Sequence, residues 1–344
     1  MPLQFGFLGL GFMAATHIKA LASVPDASVG ALCNPSGRNL DGDFSAVGGN
    51  VGDPNGLKLD MSQIRAYRTV DELLADPSIQ VVDITTPTKT HLQFALAALK
   101  AGKHVLVEKP MTRTAIEGRQ LAEAAAQAAA NGVFLMPAMC LRFWPEWAFV
   151  KTTITANTYG RVLSARFRRV AQAPGWGHSH FLNAADSGGA LLDLHIHDVD
   201  FIRHCFGPPS RVVSRGHTRV SGGIDHLVSL FDVEGGAVVS AEGSWAMTPG
   251  FGFNMAYTVV FERATLDYDV SRGTDTLKLF VEGAPAQVIP VNGTDGYVGQ
   301  LRHFIESILA GRPPSVVTAE EGFAAVAVCE AEEESIRTGL PVTL

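Results

Sequence analysis

The sequence predicts a two-domain α/β plus α+β protein. An N-terminal doubly wound Rossmann domain with a parallel sheet is followed by a domain with an open, mixed, mostly antiparallel sheet covered by helices on one face. Three observations carry this prediction. Over the first 140 residues short apolar runs alternate with helical repeats at the spacing of βαβ units. Those runs are continuously apolar, as suits strands buried on both faces. After about Arg142 the pattern changes to successive strands, several of them alternating, which marks an antiparallel sheet. A chain of 344 residues is long enough for two cores, and the expected division is residues 1–140 and 141–344.

The elements follow in order. Leu3–Leu8 reads as a buried strand broken by Gly9, with a helix from Met13 to Ser23 whose apolar face holds Ala14, Ile18 and Leu21. Ala27–Cys33 is a second strand. Gly37–Pro54, rich in glycine and aspartate, reads as a long loop. Thr69 and Glu72 have capping-box spacing, so a short helix opens at Val70. Val81–Thr85, His104–Val107 and Val133–Ala138 are further strands, separated by helices over Pro87–Ala101 and Ala115–Ala130. Beyond residue 140, helices are expected at Pro145–Thr158, Gly189–Phe206, Phe304–Leu309 and Ala319–Arg337. Strands are expected at Val162–Val170, Arg211–Val220, His226–Val233, Ala237–Trp245, Ala256–Phe261, Ala264–Asp269 and Thr276–Val281.

Composition narrows the function. Hydrophobic residues are 47% and charged residues 18% of the chain, which excludes a disordered tail protein. The formal charge of −7 argues against a nucleic-acid partner. The four cysteines, Cys33, Cys140, Cys205 and Cys329, are far apart in sequence and form no CxxC pair, so buried free thiols in a reducing compartment are expected. No basic n-region precedes the first apolar run, and no stretch reaches the ~20 apolar residues of a membrane span. A cytoplasmic protein without membrane association is expected.

The first chemical signal is Gly9, Leu10, Gly11, Phe12, Met13 and Ala14, a GxGxxA turn between a strand and a helix. One glycine permits the tight turn, the next lets a pyrophosphate approach the backbone, and the small third residue lets helix and strand pack closely. The helix N-terminus then offers free N–H groups to phosphate. Gly9, Gly11, Phe12 and Met13 are therefore expected against a dinucleotide. The ribose reader at the end of the second strand is Asn34, where a carboxylate would favour NAD. Asn34 tolerates a 2′-phosphate that Ser36 and Arg38 can hold, although Arg38 reads equally well as a solvated loop residue. NAD and NADP both remain open.

Glu108, Lys109 and Pro110 end the fourth expected strand, where open α/β sheets bind ligands. A lysine there can point at a substrate hydroxyl, and Pro110 biases it to an extended backbone. At this point the sequence resembles the glucose–fructose oxidoreductase, inositol dehydrogenase and rhizopine-catabolism family (Gfo/Idh/MocA). The likeness rests on the segments Gly6 to His17, Thr86 to His91, Val107 to Pro110 and Gly188 to Asp200, in that order, and extends over Leu141 to Pro145 and the final Pro341 to Leu344. The resemblance implies oxidation of a secondary hydroxyl on a sugar, polyol or sugar derivative, or the reverse reduction. It implies that Lys109, Asp193 and His197 are the catalytic group. It also implies pairing of subunits into homodimers or homotetramers through the C-terminal sheet. Two other readings accompany it: a tightly held NAD used transiently for glycoside elimination or hydrolysis, and a non-catalytic dinucleotide-binding regulator.

The residues support this independently. Asp193, His197 and Asp200 are spaced i, i+4, i+7 on one face of a mostly apolar helix, and a polar stripe there needs partners. His197 is read as the general base and Lys109 as the stabiliser of the developing alkoxide, with Asp193 orienting His197 or binding a neighbouring hydroxyl; the first two roles are exchangeable on sequence grounds. His195 stands where the family often has glycine. Two helical positions point apart, so His195 and His197 do not share a metal, none is expected, and His195 reads as a packing residue. Arg142 can hold a substrate carboxylate or phosphate, or pair with a carboxylate of the protein. Trp176, His178 and His180 read as the lining of a sugar pocket or as a surface loop. Thr86, Pro87 and His91 are expected on the nicotinamide side, with Glu108 and Lys109 also near the cofactor, although His91 can instead bond the backbone at a helix start.

Overall fold

The computed structural model describes residues 2–49, 56–175, 181–291 and 293–344. It divides into two compact units. One comprises Met1–Cys140 with Asp295–Ala324, and the other Leu141–Thr294 with Ala325–Leu344. The contiguous second domain expected over 141–344 is thus interrupted, because residues 295–324 pack with the first unit.

The first unit is a six-stranded parallel sheet in the order β3-β2-β1-β4-β5-β6, the doubly wound order that reverses direction next to β1. The strands are β1 (Leu3–Leu8), β2 (Ala27–Cys33), β3 (Arg65–Tyr67), β4 (Val81–Ile84), β5 (His104–Val107) and β6 (Leu135–Pro137). Helices α1 (Phe12–Leu21), α2 (Val70–Ala75), α3 (His91–Lys100) and α4 (Ala115–Ala129) connect them. The expected core strands are all present. β3 was not expected, since Arg65 and Ala66 are exposed at the sheet edge and carry no apolar signal. Thr69 and Glu72 form the full capping box of α2, and Thr114 with Glu117 forms another on α4. The long loop after β2 is pinned by Phe44, which is fully buried.

The second unit carries a nine-stranded sheet, β14-β13-β12-β11-β7-β10-β9-β8-β15. Its strands are β7 (Val162–Gln172), β8 (Arg211–His217), β9 (His226–Asp232), β10 (Val238–Met247), β11 (Phe253–Phe261), β12 (Ala264–Asp269), β13 (Leu277–Val281), β14 (Gln287–Val288) and β15 (Val342–Thr343). β7 and β10 run parallel and the other pairs antiparallel. The alternation along β9 is plain: Leu227, Ser229 and Phe231 are buried while Val228, Leu230 and Asp232 face out. On the inner face lie α5 (Pro145–Thr155), the single turn α6 (Ala184–Ser187) and α7 (Ile196–Phe206). Trp147 of α5 anchors this core, edge-on to Phe201 at 4.8 Å and to Tyr257 at 5.1 Å, a geometry that suits the ring quadrupoles.

Two helices complete the chain, α8 (Gly296–Leu309) and α9 (Ala319–Thr338). α8 has 14 residues and begins at Gly296 rather than at the expected Phe304, with Asp295 as its cap, accepting from the Tyr297 N–H at 2.6 Å. α8 packs on α1, which is why this segment belongs to the first unit.

Candidate active site

The glycine turn has the geometry that a dinucleotide needs. Gly9 lies at φ +89, and a Cβ there would meet Thr86 Cγ2 at 2.8 Å and the Thr86 backbone N at 2.9 Å. Only glycine accepts both the left-handed backbone and that contact. Gly11 caps α1 with no side-chain hydrogen bond, the first turn carries no acid, and nothing lies within 4 Å of where its Cβ would be. Among the described residues the space beside Gly11 at this helix N-terminus is therefore open, which fits a pyrophosphate. Around this turn stand the carboxyl ends of β1, β4 and β5, with Thr86, Pro87, Glu108 and Lys109. Thr85 Oγ1 donates to the Gly9 carbonyl at 2.6 Å and locks two of these strand ends together.

The ribose end differs in detail from expectation. Asn34 is taken up by its own loop: its Nδ2 donates to the Arg38 carbonyl at 2.9 Å, and its Oδ1 accepts from Ser36 Oγ at 2.9 Å. It organises the loop, an Asx-type turn. A cleft of about 640 Å³ opens beside it, lined by Gly37, Asn39, Asp41, Arg68 and Glu72 among others. The Arg68 guanidinium lies against Gly37, so a second arginine, absent from the sequence-based set, lines this cleft together with the carboxylates of Asp41 and Glu72. Arg68 lies next to β3, and missing that strand hid it.

Two expected cofactor contacts turn inward instead. His91 is buried, with Nδ1 2.9 Å from the Pro110 carbonyl and Nε2 2.8 Å from the Thr86 carbonyl. Burial holds its pKa down against the pull of those carbonyls, and it ties strand ends together rather than reaching a ligand. Glu108 is buried as well; its Oε1 lies 3.2 Å from His17 Nε2, and its Oε2 accepts from the Lys109 N–H at 3.1 Å. The Lys109–Pro110 peptide is cis.

His17 is the residue that sequence reasoning passed over. It is fully buried on α1, with Nδ1 2.8 Å from Asp83 Oδ2. The Gln300 side-chain amide of α8 sits 3.0 Å from its other ring nitrogen. Burial alone would drive the imidazole pKa down, but the charges and hydrogen bonds of Asp83 and Glu108 overcome it and push it up to about 10. An imidazolium between two carboxylates thus sits directly behind the Lys109 backbone. The signal was available: His17 lies three after Ala14 and four before Leu21, on the helix's apolar face.

In the second unit the expected helix is irregular. Leu191–His195 forms a π-helical turn before α7, a feature often found at functional sites. Within residues 190–202 every residue is buried except Asp193 and His197. His195 turns inward to Glu332 Oε1 at 2.9 Å. Asp200 leaves the expected stripe. Arg142 Nε and Nη2 fork onto it at 2.9 and 2.7 Å, both side chains 1% exposed. Arg142 therefore takes the protein-paired alternative, and its substrate-binding role is withdrawn. Asp198 pairs with Arg169 at 2.8 Å. Trp176, His178 and His180 lie outside the described residues.

Comparison with known proteins agrees with these features. Residues 3–135 match the model of an oxidoreductase family with an NAD-binding Rossmann fold, and residues 147–267 match the GFO/IDH/MocA C-terminal domain. The chain is 29% identical over 357 residues to scyllo-inositol 2-dehydrogenase (NAD(+)) of Bacillus subtilis, covering 98% of this chain and 95% of that one. It is 30% identical over 308 residues to the scyllo-inositol 2-dehydrogenase (NADP(+)) of the same organism, covering 81% and 83%. The fold matches levoglucosan dehydrogenase solved with NADH, at TM-score 0.84 and 22% identity over 100% of this chain and 99% of that one. With a glycine cradle that fits a dinucleotide, a mixed nine-stranded sheet behind it in sequence, and both domain models matched in order, the chain belongs to the Gfo/Idh/MocA oxidoreductase family.

Proposed function

We propose that this chain is an NAD(P)-dependent dehydrogenase that interconverts a secondary alcohol and a ketone on a sugar or an inositol-like polyol, with Lys109, Asp193 and His197 as its reactive groups. The observation that carries the reading is the burial pattern of residues 190–202, which leaves surface to Asp193 and His197 alone among them. Two relatives act, by name, on scyllo-inositol, one with NAD and one with NADP. They support a cyclic polyol substrate and keep both dinucleotides as candidates. The mixed charge beside Arg68, with Asp41 and Glu72 in the same cleft, favours neither.

The nicotinamide, when bound, supplies the two-electron redox chemistry. The remaining work belongs to the chain. Imidazole suits general-base work near neutral pH, so His197 takes the proton of the substrate hydroxyl. The Lys109 ammonium donates to the substrate oxygen and stabilises the charge that develops there. Asp193 orients His197 or accepts from a neighbouring hydroxyl. Gly9 and Gly11 would hold the pyrophosphate at the N-terminus of α1.

The same reading places the protein in the cytoplasm, supported by four free cysteines, and no helix among the described residues is long and apolar enough to cross a membrane. It also includes subunit pairing through the outer face of the nine-stranded sheet, supported by Val228, Leu230 and Val238, which are 44%, 50% and 64% exposed on adjacent strands. Light scattering of the purified chain tests that pairing.

The decisive experiment screens inositols and anhydrosugars with both dinucleotides, following nicotinamide absorbance. His197→Ala and Lys109→Ala are then expected to lower kcat roughly 10²–10⁴-fold. Near-wild-type turnover by either variant on the substrate found overturns the assignment.

A further inference from the structure

The π-helical turn that carries Asp193 is held from behind by a buried ion pair. His195, the last residue of that turn, is fully buried, with Nε2 2.9 Å from Oε1 of Glu332, itself fully buried on α9. The ring fits because β10 has a glycine opposite: a Cβ on Gly243 would come within 2.7 Å of both His195 Cβ and Nδ1. Each partner spends one side-chain atom on the other. His195 Nδ1 has no hydrogen-bond partner among the described residues, so the ring is oriented by its one bond to Glu332 and by its packing against β10.

The pair sits in a larger charge group. Asp198 and Arg169 pair at 2.8 Å and act electrostatically on His195, and all four side chains are buried. Glu332 and the Cys329 thiol face the group from α9, Asp198 from α7 and Arg169 from β7. Two cations against two carboxylates leave the group neutral when His195 is protonated. Burial works against that proton, but Glu332 and Asp198 outweigh it and raise the pKa of His195.

We propose that the His195–Glu332 pair is a positioning device: it pins the π turn and thereby sets the side chains of Asp193, two residues before it, and His197, two residues after. The inference rests on the reading that Asp193 and His197 are the reactive groups. The physical reason is directional. An apolar filling of the same space stabilises the fold about as well, but it lets the turn rotate or relax to regular α geometry, and a small displacement of reactive groups costs large factors in rate.

That difference gives the test. The double variant His195→Phe with Glu332→Leu replaces the ion pair with apolar volume, and Glu332→Gln keeps the shape and one hydrogen bond while removing the charge. The full chain is measured in three ways: thermal unfolding, kcat and KM on the inositol or anhydrosugar found in the screen, and imidazole nitrogen NMR from pH 5 to 10. The double variant is expected to melt near the wild type while kcat falls roughly 10- to 100-fold with KM for the dinucleotide unchanged. The His197 ring signals are expected to shift in both variants, with Glu332→Gln intermediate in rate. If the double variant folds with wild-type kcat, or if His197 signals and titration are the same in all three proteins, the positioning role is overturned. The NMR arm needs no substrate. Failure of the catalytic reading shows separately, as His197→Ala retaining turnover.

Discussion

Removing His17 is the sharpest probe of the first unit. His17→Leu takes from Asp83 and Glu108 the cationic partner they share, and those carboxylates are 0% and 5% exposed. Breaking a buried pair by deleting one partner costs about 3–5 kcal/mol, because the remaining charge stays uncompensated. At about 2–4 °C per kcal/mol for a unit of this size, the melting temperature falls by roughly 6–20 °C. The pH dependence follows from the shifts. The imidazole rises from 6.5 to about 10 on folding, so its stabilisation is complete below about pH 6.5 and is lost as the pH climbs through about 10. The Asp83 carboxyl is raised by burial against the pull of His17. In the variant, acidification protonates it and relieves the strain. The stability gap between wild type and variant therefore peaks near neutral pH and narrows on both sides. Urea unfolding at a series of pH values measures it. A loss under about 1 kcal/mol at pH 7, or a gap that does not change with pH, refutes the buried-cation argument.

Two other perturbations follow from the geometry. Gly9→Ala forces a side chain into a left-handed backbone 2.9 Å from the Thr86 backbone N; NADH and NADPH binding, followed by fluorescence titration, is expected to weaken at least about tenfold. Arg142→Met takes the guanidinium fork from the buried Asp200 carboxylate and is expected to cost about 3–5 kcal/mol in urea unfolding, whereas Arg142→Met with Asp200→Leu recovers most of it. An arginine that served substrate instead would raise KM and leave stability alone.

Local pattern carried much of this protein. Continuous apolar runs marked the strands β1, β2, β4 and β5 to within a residue, because a sheet buried on both faces leaves no room for polar alternation. The glycine turn was legible from its order after a strand and before a helix. The spacing of Asp193 and His197 placed them on one side of their segment, and they are the two residues there that keep surface. The long acidic helix α9 shows where such reading stops. Nothing in the run Glu330, Glu332, Glu333 and Glu334 marks one of them for the interior, yet Glu332 is fully buried against His195.

What the chain alone determined was therefore each segment's type, its buried face and a glycine turn whose shape fits a dinucleotide. Only the tertiary structure decided which buried charges meet: His17 with Asp83 across 66 residues, Arg142 with Asp200 across 58, and His195 with Glu332 across 137. It also decided that residues 295–324 return to the first unit and that Arg65–Tyr67 pairs as an edge strand. The reason is physical. Periodicity arises from backbone geometry repeated over a few residues and can be read locally. A buried ion takes whichever counter-charge the packing brings within about 3–4 Å, and nothing in the neighbouring residues specifies which distant segment that will be.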